Sequence, residues 1–318
     1  MKEIGGYIEL DRYNLRMLHE GAIALNCGRN CLRYLIKAKK IRKIVMPYFL
    51  CESVRQVCIN EGVDIRYYHI NENFRPFNLI VEQNEWIYLV NYYGQLAAKE
   101  IEKYRDNYGK IIVDNAHAYF EMPVHGVDTL YTCRKFFGVP DGAFLYTDDQ
   151  RRIENGLVQD ESHERMAFIL GRYERPAAEF YDIYVRNDNF FSNEPVKKMS
   201  KLTMNLLHGI NYTIVRDKRT ENYNYLYENF KDLNGIKLKR IGGAYAYPLL
   251  LENGSLIRKK LIEEKIYIPT LWPNILSDME SESLEFRYAE NILPLPCDQR
   301  YECGDMQRVY EVLKRLLK

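Results

Sequence analysis

The sequence predicts an α/β fold: a mostly parallel central sheet with helices on both faces, plus a smaller C-terminal α+β domain. Three observations carry this expectation. From residue 22 to 147, short apolar runs alternate with amphipathic stretches of helical period, and strands alternating with helices pair in parallel. About the last hundred residues mix helices and strands in a different order, which marks a second unit. The 318 residues, 47% hydrophobic and 28% charged, suffice for one large core and one small one.

Taken in order, GAIALN is a strand that stops before Gly28, and CLRYLIKAKK repeats apolar residues at Leu32, Leu35 and Ile36, a helical spacing. KIVMP is a short apolar strand, followed by a helix from Glu52 to about Asn60 that Gly62 closes. DIRYYHI, WIYLVNYYG, KIIVDNA, VDTLYTC and GAFLYT are further strands, with a helix over AAKEIEKYRDNYG between two of them. Residues 150 to about 215 read as helix and loop. Beyond them YNYLYENFKDL and SLIRKKLIEEK are helices, GAYAYPLLLE and KIYIPTLWP strands, NILPLP an extended piece, and DMQRVYEVLKRLLK a closing amphipathic helix. The expected division is a large domain over 1–215 and a small one over 216–318. Many of the 27 tyrosines alternate with apolar residues, which predicts half-buried strand positions for them.

Composition narrows the partners. Forty-five basic against 44 acidic residues leave a formal charge of +1, so no field draws nucleic acid or an anionic membrane. The opening MKEIGGYIELDR lacks the apolar stretch of a signal peptide, and no run approaches the roughly 18 apolar residues of a membrane helix. A cytoplasmic location is expected. Seven cysteines without zinc-like spacing read as reduced thiols, and no metal is expected.

Three features fall at strand ends, where open parallel sheets bind ligands. The first is Cys27-Gly28-Arg29-Asn30 at a helix start, where glycine allows close approach, free N–H groups favour an anion, and Arg29 adds a forked cation. An ordinary turn with a solvated arginine is the competing reading. The second is KIIVDNAHAY: Asp114 at a strand end can pair with a protonated ring nitrogen, and His117 can donate to a phenolic oxygen. A capping aspartate and a structural histidine compete with that. The third is VDTLYTCRKFFGVPDGAFLYT, in which Lys135 can reach a cleft whose burial lowers its pKa, and the Thr132 hydroxyl can bind phosphate. Most lysines are merely solvated; the context distinguishes Lys135.

With phosphate turn, ring-nitrogen acid and lysine in this order, the last two about 20 residues apart, the chain resembles the DegT/DnrJ/StrS family of sugar aminotransferases over nearly its whole length. CGRNCL stands at the phosphate turn, MPYFLCESV at a Pro-containing segment, NYYGQ at a His-Leu-Tyr-Gly-Gln stretch, DNAHA at Asp-x-Ala-Gln-Ala, and CRKFFGVPDGA around the cofactor lysine. KKMSKLTMNLL, YPLLLENGSLIRKKLIEEKIYIPTLWP and ILPLPCD resemble later regions. The resemblance implies the pyridoxal-phosphate-dependent transferase fold, a homodimer, and amino transfer from an amino acid, glutamate by expectation, to a keto sugar nucleotide for cell-surface polysaccharide or related amino-sugar synthesis. It implies Lys135 and Asp114 as catalytic residues. Gly28, Arg29, Asn30, Cys51, Asp114, His117, Thr132 and Lys135 are then the cofactor's contacts.

Several positions depart from the pattern. Arg29 and Asn30 replace the usual Thr and Ala, and His117 replaces a glutamine. Cys51 stands where an aromatic ring covers the cofactor, with Phe49 or Tyr93 as substitutes. Val196 stands where an asparagine reaches the partner's phosphate, and Arg29 is expected to supply that contact. A lyase, a transaminase for another carbonyl compound, and a non-catalytic sugar-nucleotide-binding relative stay open as alternatives.

Overall fold

The central sheet forms because its strands carry apolar side chains on both faces, so each face needs its own covering layer. In the computed structural model, which describes residues 4–149, 151 and 153–318, eight strands make this sheet. They are β1 (Ile23–Leu25), β2 (Lys43–Pro47), β3 (Asp64–Ile70), β4 (Pro76–Phe77), β5 (Trp86–Val90), β6 (Ile111–Asp114), β7 (Asp128–Thr132) and β8 (Ala143–Tyr146), in the order β1-β8-β7-β6-β5-β2-β3-β4. β3, β2, β5, β6 and β7 run parallel, β8 is reversed between β7 and β1, and β4 is an antiparallel edge.

Alternation along the strands sorts the core into layers. Ile44, Met46, Tyr88, Ile112 and Leu130 pack under α1 (Gly28–Lys39) and α2 (Glu52–Asn60). Their neighbours Val45, Ile87, Leu89, Ile111 and Val113 point to the opposite face. That face carries Ile101 of α3 (Ala98–Tyr108) and, from the C-terminal part, Trp272, Ile275 and Tyr288. Two helices, α4 (Ala167–Glu174) and α5 (Tyr181–Phe190), precede α6 (Lys201–Leu207), whose N-terminus is bound by the buried Asp141: Ser200 donates its backbone N–H and its hydroxyl to that carboxylate at 2.8 Å each.

α7 (Tyr212–Phe230) leads into the C-terminal unit, where β9 (Ala246–Leu250) and β10 (Ile292–Pro296) form an antiparallel pair. α8 (Gly254–Glu263), α9 (Ile275–Asp278), α10 (Leu284–Asn291) and α11 (Cys303–Leu316) complete it. Among the described residues no helix is long and apolar enough to cross a membrane.

Two sequence expectations are corrected. KIYIPTLWP is not a strand. Lys265 turns left-handed (φ 59°) to end α8, and Ile266 and Ile268 alternate inward while Tyr267 stays exposed, so the period of two is real. The stretch pairs with neither strand of the small sheet, and Pro269 has no N–H to offer a ladder. Tyr67 and Tyr146 are half-buried strand tyrosines as expected, but others lie deeper: Tyr34, Tyr88, Tyr119, Tyr131, Tyr223, Tyr247 and Tyr288 are fully buried, several of them on helices. Backbone carbonyls make this tolerable, accepting for example from Tyr68 (2.8 Å to Tyr88 O), Tyr131 (2.9 Å to Glu121 O) and Tyr223 (3.0 Å to Lys239 O).

Candidate active site

Because β1, β2, β5, β6 and β7 share one direction, the residues that follow them gather along one edge of the sheet. Register decides what faces what there. Tyr88 pairs with Ile112, and both face the α1–α2 layer. Asp114, two residues past Ile112, therefore turns to that same side. The Tyr88 hydroxyl donates to Asp114 Oδ2 at 2.7 Å, and the Ala116 N–H donates to Oδ1 at 2.8 Å. A carboxylate has about four acceptor positions, so capacity is left for a donor in the crevice. Burial raises the Asp114 pKa; Lys135, the Ala116 N–H and the Tyr88 hydroxyl pull it back, and it stays above its ordinary value.

Lys135 stands in the turn after β7, which is closed by Phe136 and Phe137 N–H bonds to Cys133 O, both 2.9 Å. Its side chain keeps accessible surface. Burial lowers its pKa against the upward pull of Asp114, Cys51 and Asp188. The same electrostatic neighbourhood thus holds the lysine, the strand-end aspartate and Cys51. The amine lies 5.5 Å from the centre of the Tyr245 ring. His117 stacks on that ring at 4.3 Å and lies 5.3 Å from Tyr93 and 5.5 Å from Trp272. Burial and the nearby ammonium hold the His117 pKa well below its ordinary value, so the ring is neutral, and its Nδ1 is buried without a hydrogen-bond partner.

Tyr245 and Trp272, which the sequence reading did not single out, lie beside His117. Neither sits in a motif; a long chain connection returns them to this neighbourhood. Arg219 holds that return in place. Fully buried, it donates to Phe136 O (3.1 Å), next to Lys135, and to Ala244 O (2.8 Å), next to Tyr245. Gln299 adds a second donor to Phe136 O at 2.8 Å. Tyr93 and Trp272 both adopt left-handed backbone (φ 51° and 56°), a costly conformation for bulky residues that the packing around His117 maintains.

At the phosphate turn, Gly28 opens α1 beside Thr132, its Cβ position 3.8 Å from the threonine Cβ, and no side chain caps the helix. Arg29 is turned to Asp188, through Nη2 to Oδ2 and Nη1 to the backbone oxygen, both 3.1 Å. Arg134 binds the other oxygen of that carboxylate at 2.7 Å. The Asn30 side chain is buried and spent on Asn26 Oδ1 and Pro195 O, both 2.8 Å, so it braces the 194–195 segment. Cys51 precedes α2 in an exposed position without capping it, its Sγ 3.1 Å from Ser53 Oγ. Of the two aromatic substitutes, Phe49 packs in the core on Trp272 (4.4 Å), whereas Tyr93 borders His117.

The residues fit pyridoxal phosphate. The unpartnered His117 Nδ1, the remaining acceptor capacity of Asp114, the amine of Lys135 and the uncapped turn at Gly28 and Thr132 match in kind a phenolic oxygen, a pyridinium, an aldehyde and a phosphate.

No protein-family model matches the sequence, and no curated protein is similar to it. Solved structures are similar in fold. A DegT DnrJ EryC1 StrS aminotransferase from Brucella abortus superposes with a TM-score of 0.63 at 13% identity, over 93% of this chain and 86% of that one. DesI, crystallised in the presence of its TDP-sugar product, gives 0.62 at 15% identity over 92% and 79%. NtdA from Bacillus subtilis, with bound cofactor PMP, gives 0.64 at 15% identity over 92% and 72%. Across almost its entire length, this protein has the fold of the DegT/DnrJ/EryC1/StrS aminotransferases.

Proposed function

We propose that this protein is a pyridoxal-phosphate-dependent aminotransferase that moves an amino group from an amino acid, glutamate by expectation, to a keto sugar nucleotide. One observation supports the reading: one electrostatic neighbourhood holds an amine whose charge burial disfavours, a buried carboxylate with acceptor capacity to spare, and an imidazole nitrogen with no partner. The sugar-nucleotide acceptor draws its support from DesI and its TDP-sugar product.

When bound, pyridoxal phosphate supplies an aldehyde that condenses with amines and a ring that takes up the electron pair of a broken C–H bond. The chain's own residues do the rest. Lys135, whose pKa burial lowers, would take the α-proton of the donor amino acid and return a proton in the second half of the cycle. Asp114 would hold a proton on the ring nitrogen by accepting from it. His117, neutral, would offer its unpartnered nitrogen to the ring's phenolic oxygen. Gly28 and Thr132 would receive the phosphate, while the aromatic wall of Tyr245, Tyr93 and Trp272 would exclude water. In this reading residues 1–215 supply the acid, the lysine and the phosphate turn, and residues 216–318 supply the Tyr245–Trp272 wall.

The purified protein should be yellow, with the colour bleached by borohydride and the modification mapped to the Lys135 peptide. Glutamate should convert the chromophore to the aminated cofactor with stoichiometric release of its keto acid. A protein that takes up no pyridoxal phosphate sinks the proposal, and uptake without amine transfer moves it to a lyase.

The active unit is a homodimer in this reading. Its support is the apolar surface of the α4–α5 arm, where Leu170, Tyr173, Tyr181 and Tyr184 are exposed. Sedimentation equilibrium should give twice the 37.8 kDa of the chain, and Leu170→Glu with Tyr181→Glu should halve that mass. A wild-type monomer at micromolar concentration would rule it out.

A further inference from the structure

Asp114 is not held by its own strand alone. Its two oxygens are divided between a backbone N–H, which comes with the turn after β6, and a phenol from the adjacent strand. That phenol is specific to this chain's side-chain choice: the inward position of β5 opposite Ile112 needs only an apolar residue to fill the layer under α1 and α2, yet it carries Tyr88. The ring is fully buried, and its hydroxyl has one named acceptor, Asp114 Oδ2 at 2.7 Å. The backbone of Tyr88 is fixed in turn by Tyr68, whose hydroxyl donates to Tyr88 O at 2.8 Å. Two buried tyrosines in series thus connect β3, β5 and the carboxylate at the end of β6.

We propose that Tyr88 is a positioning residue for Asp114, holding its carboxylate ionised and oriented so that the unused lone pairs meet a protonated ring nitrogen in the crevice. The inference rests on the pyridoxal-phosphate reading above and deepens it. Its logic is that of a hydrogen bond to a charged acceptor in a buried place. A phenol there donates and does not compete for the proton, because burial and the adjacent carboxylate drive the Tyr88 pKa far up. A donor on the outer oxygen favours the charged form of Asp114, opposing the burial that disfavours it. It also makes the carboxylate less basic, so a proton shared with a ring nitrogen rests on the ring. The other titratable groups that act on Asp114 or feel its charge are Lys135 after β7, Tyr92 after β5 and Cys31 on α1. Of these, Lys135 opposes burial in the same direction as Tyr88.

The test uses Tyr88→Phe, which keeps the ring and removes only the donor. In the apoprotein, carboxyl-labelled aspartate followed by NMR should show the Asp114 titration moved upward by about one to two pH units relative to wild type, the size expected for a hydrogen bond to a charge. In the holoenzyme, kcat should fall roughly tenfold with the KM for glutamate nearly unchanged, and the nitrogen resonance of the labelled cofactor ring should move toward the unprotonated position. Fluorotyrosine at position 88, a stronger donor, should move the apoprotein titration the other way, and it carries the test if the phenylalanine variant fails to fold. A lowered melting temperature with an unmoved Asp114 titration would overturn the proposal and leave Tyr88 a packing residue. Because the apoprotein titration needs no cofactor, it judges Tyr88 even if the wild type binds no pyridoxal phosphate, which is the separate failure of the functional reading.

Discussion

Lys135→Ala is expected to give a folded protein that loses its colour on dialysis and whose amine transfer is slower by about 10²–10⁴-fold, the range that loss of a positioned acid–base group produces. Pyridoxal phosphate should still bind, without resisting dialysis as the wild-type complex does. Stability should not suffer. Burial depresses the Lys135 pKa, so the folded protein resists its charged form, and the stabilisation tied to the neutral amine is lost as pH falls through the depressed value. Removing the amine removes that penalty at neutral pH. Absorbance spectra, single-turnover rates and urea unfolding of the two proteins check these expectations together, and a small primary amine in solution should restore part of the rate. A variant that remains yellow after exhaustive dialysis, with borohydride fixing the cofactor at another lysine, would remove Lys135 from its role.

Asp114→Asn should separate activity from stability. The rate should drop by roughly 10²–10³-fold, since the amide cannot hold a positive ring nitrogen and the site loses its main electrostatic support. The apoprotein should become more stable at neutral pH. Asp114 has a raised folded pKa from burial, so its protonated form is the one the fold prefers. The corresponding stability is complete below the unfolded value and is lost as pH rises through the raised one. Asparagine carries no charge to bury, so its advantage, about 1–3 °C in melting temperature, should shrink as the solution is acidified. Melting curves across a pH series read this directly. An advantage that grows toward acid would mean that Asp114 is ionised at a net gain, contrary to its surroundings.

The Arg29 expectation shows how far residue types alone can carry such an argument. An arginine at a helix start reads as a phosphate ligand, and its fork suits that task. In the fold it meets Asp188, which also takes Arg134, and burial of that carboxylate is outweighed by the two guanidinium groups, so its pKa is lowered. Nothing near Arg29 in the chain announces Asp188, which arrives from α5. Asn30 is a similar case: its amide looks free in the sequence and is consumed by the carbonyl of Pro195. Phe49, offered as a face for the cofactor, is drawn instead into the aromatic core with Tyr92 and Trp272.

What could be read from the residues was whatever local covalent order encodes. Alternation of two and spacing of three to four identified most strands and helices, though not β4, and placed Asp114, Thr132 and Lys135 at or just after strand ends. Folding had to supply every contact between segments distant in the chain: the Tyr245–His117 stack, Trp272 in its left-handed turn, the Arg219 bridge and the Tyr88–Asp114 bond. A periodicity reports which side of an element is apolar, but not which partner covers it. That choice is made by packing the whole core at once, and these contacts follow from it.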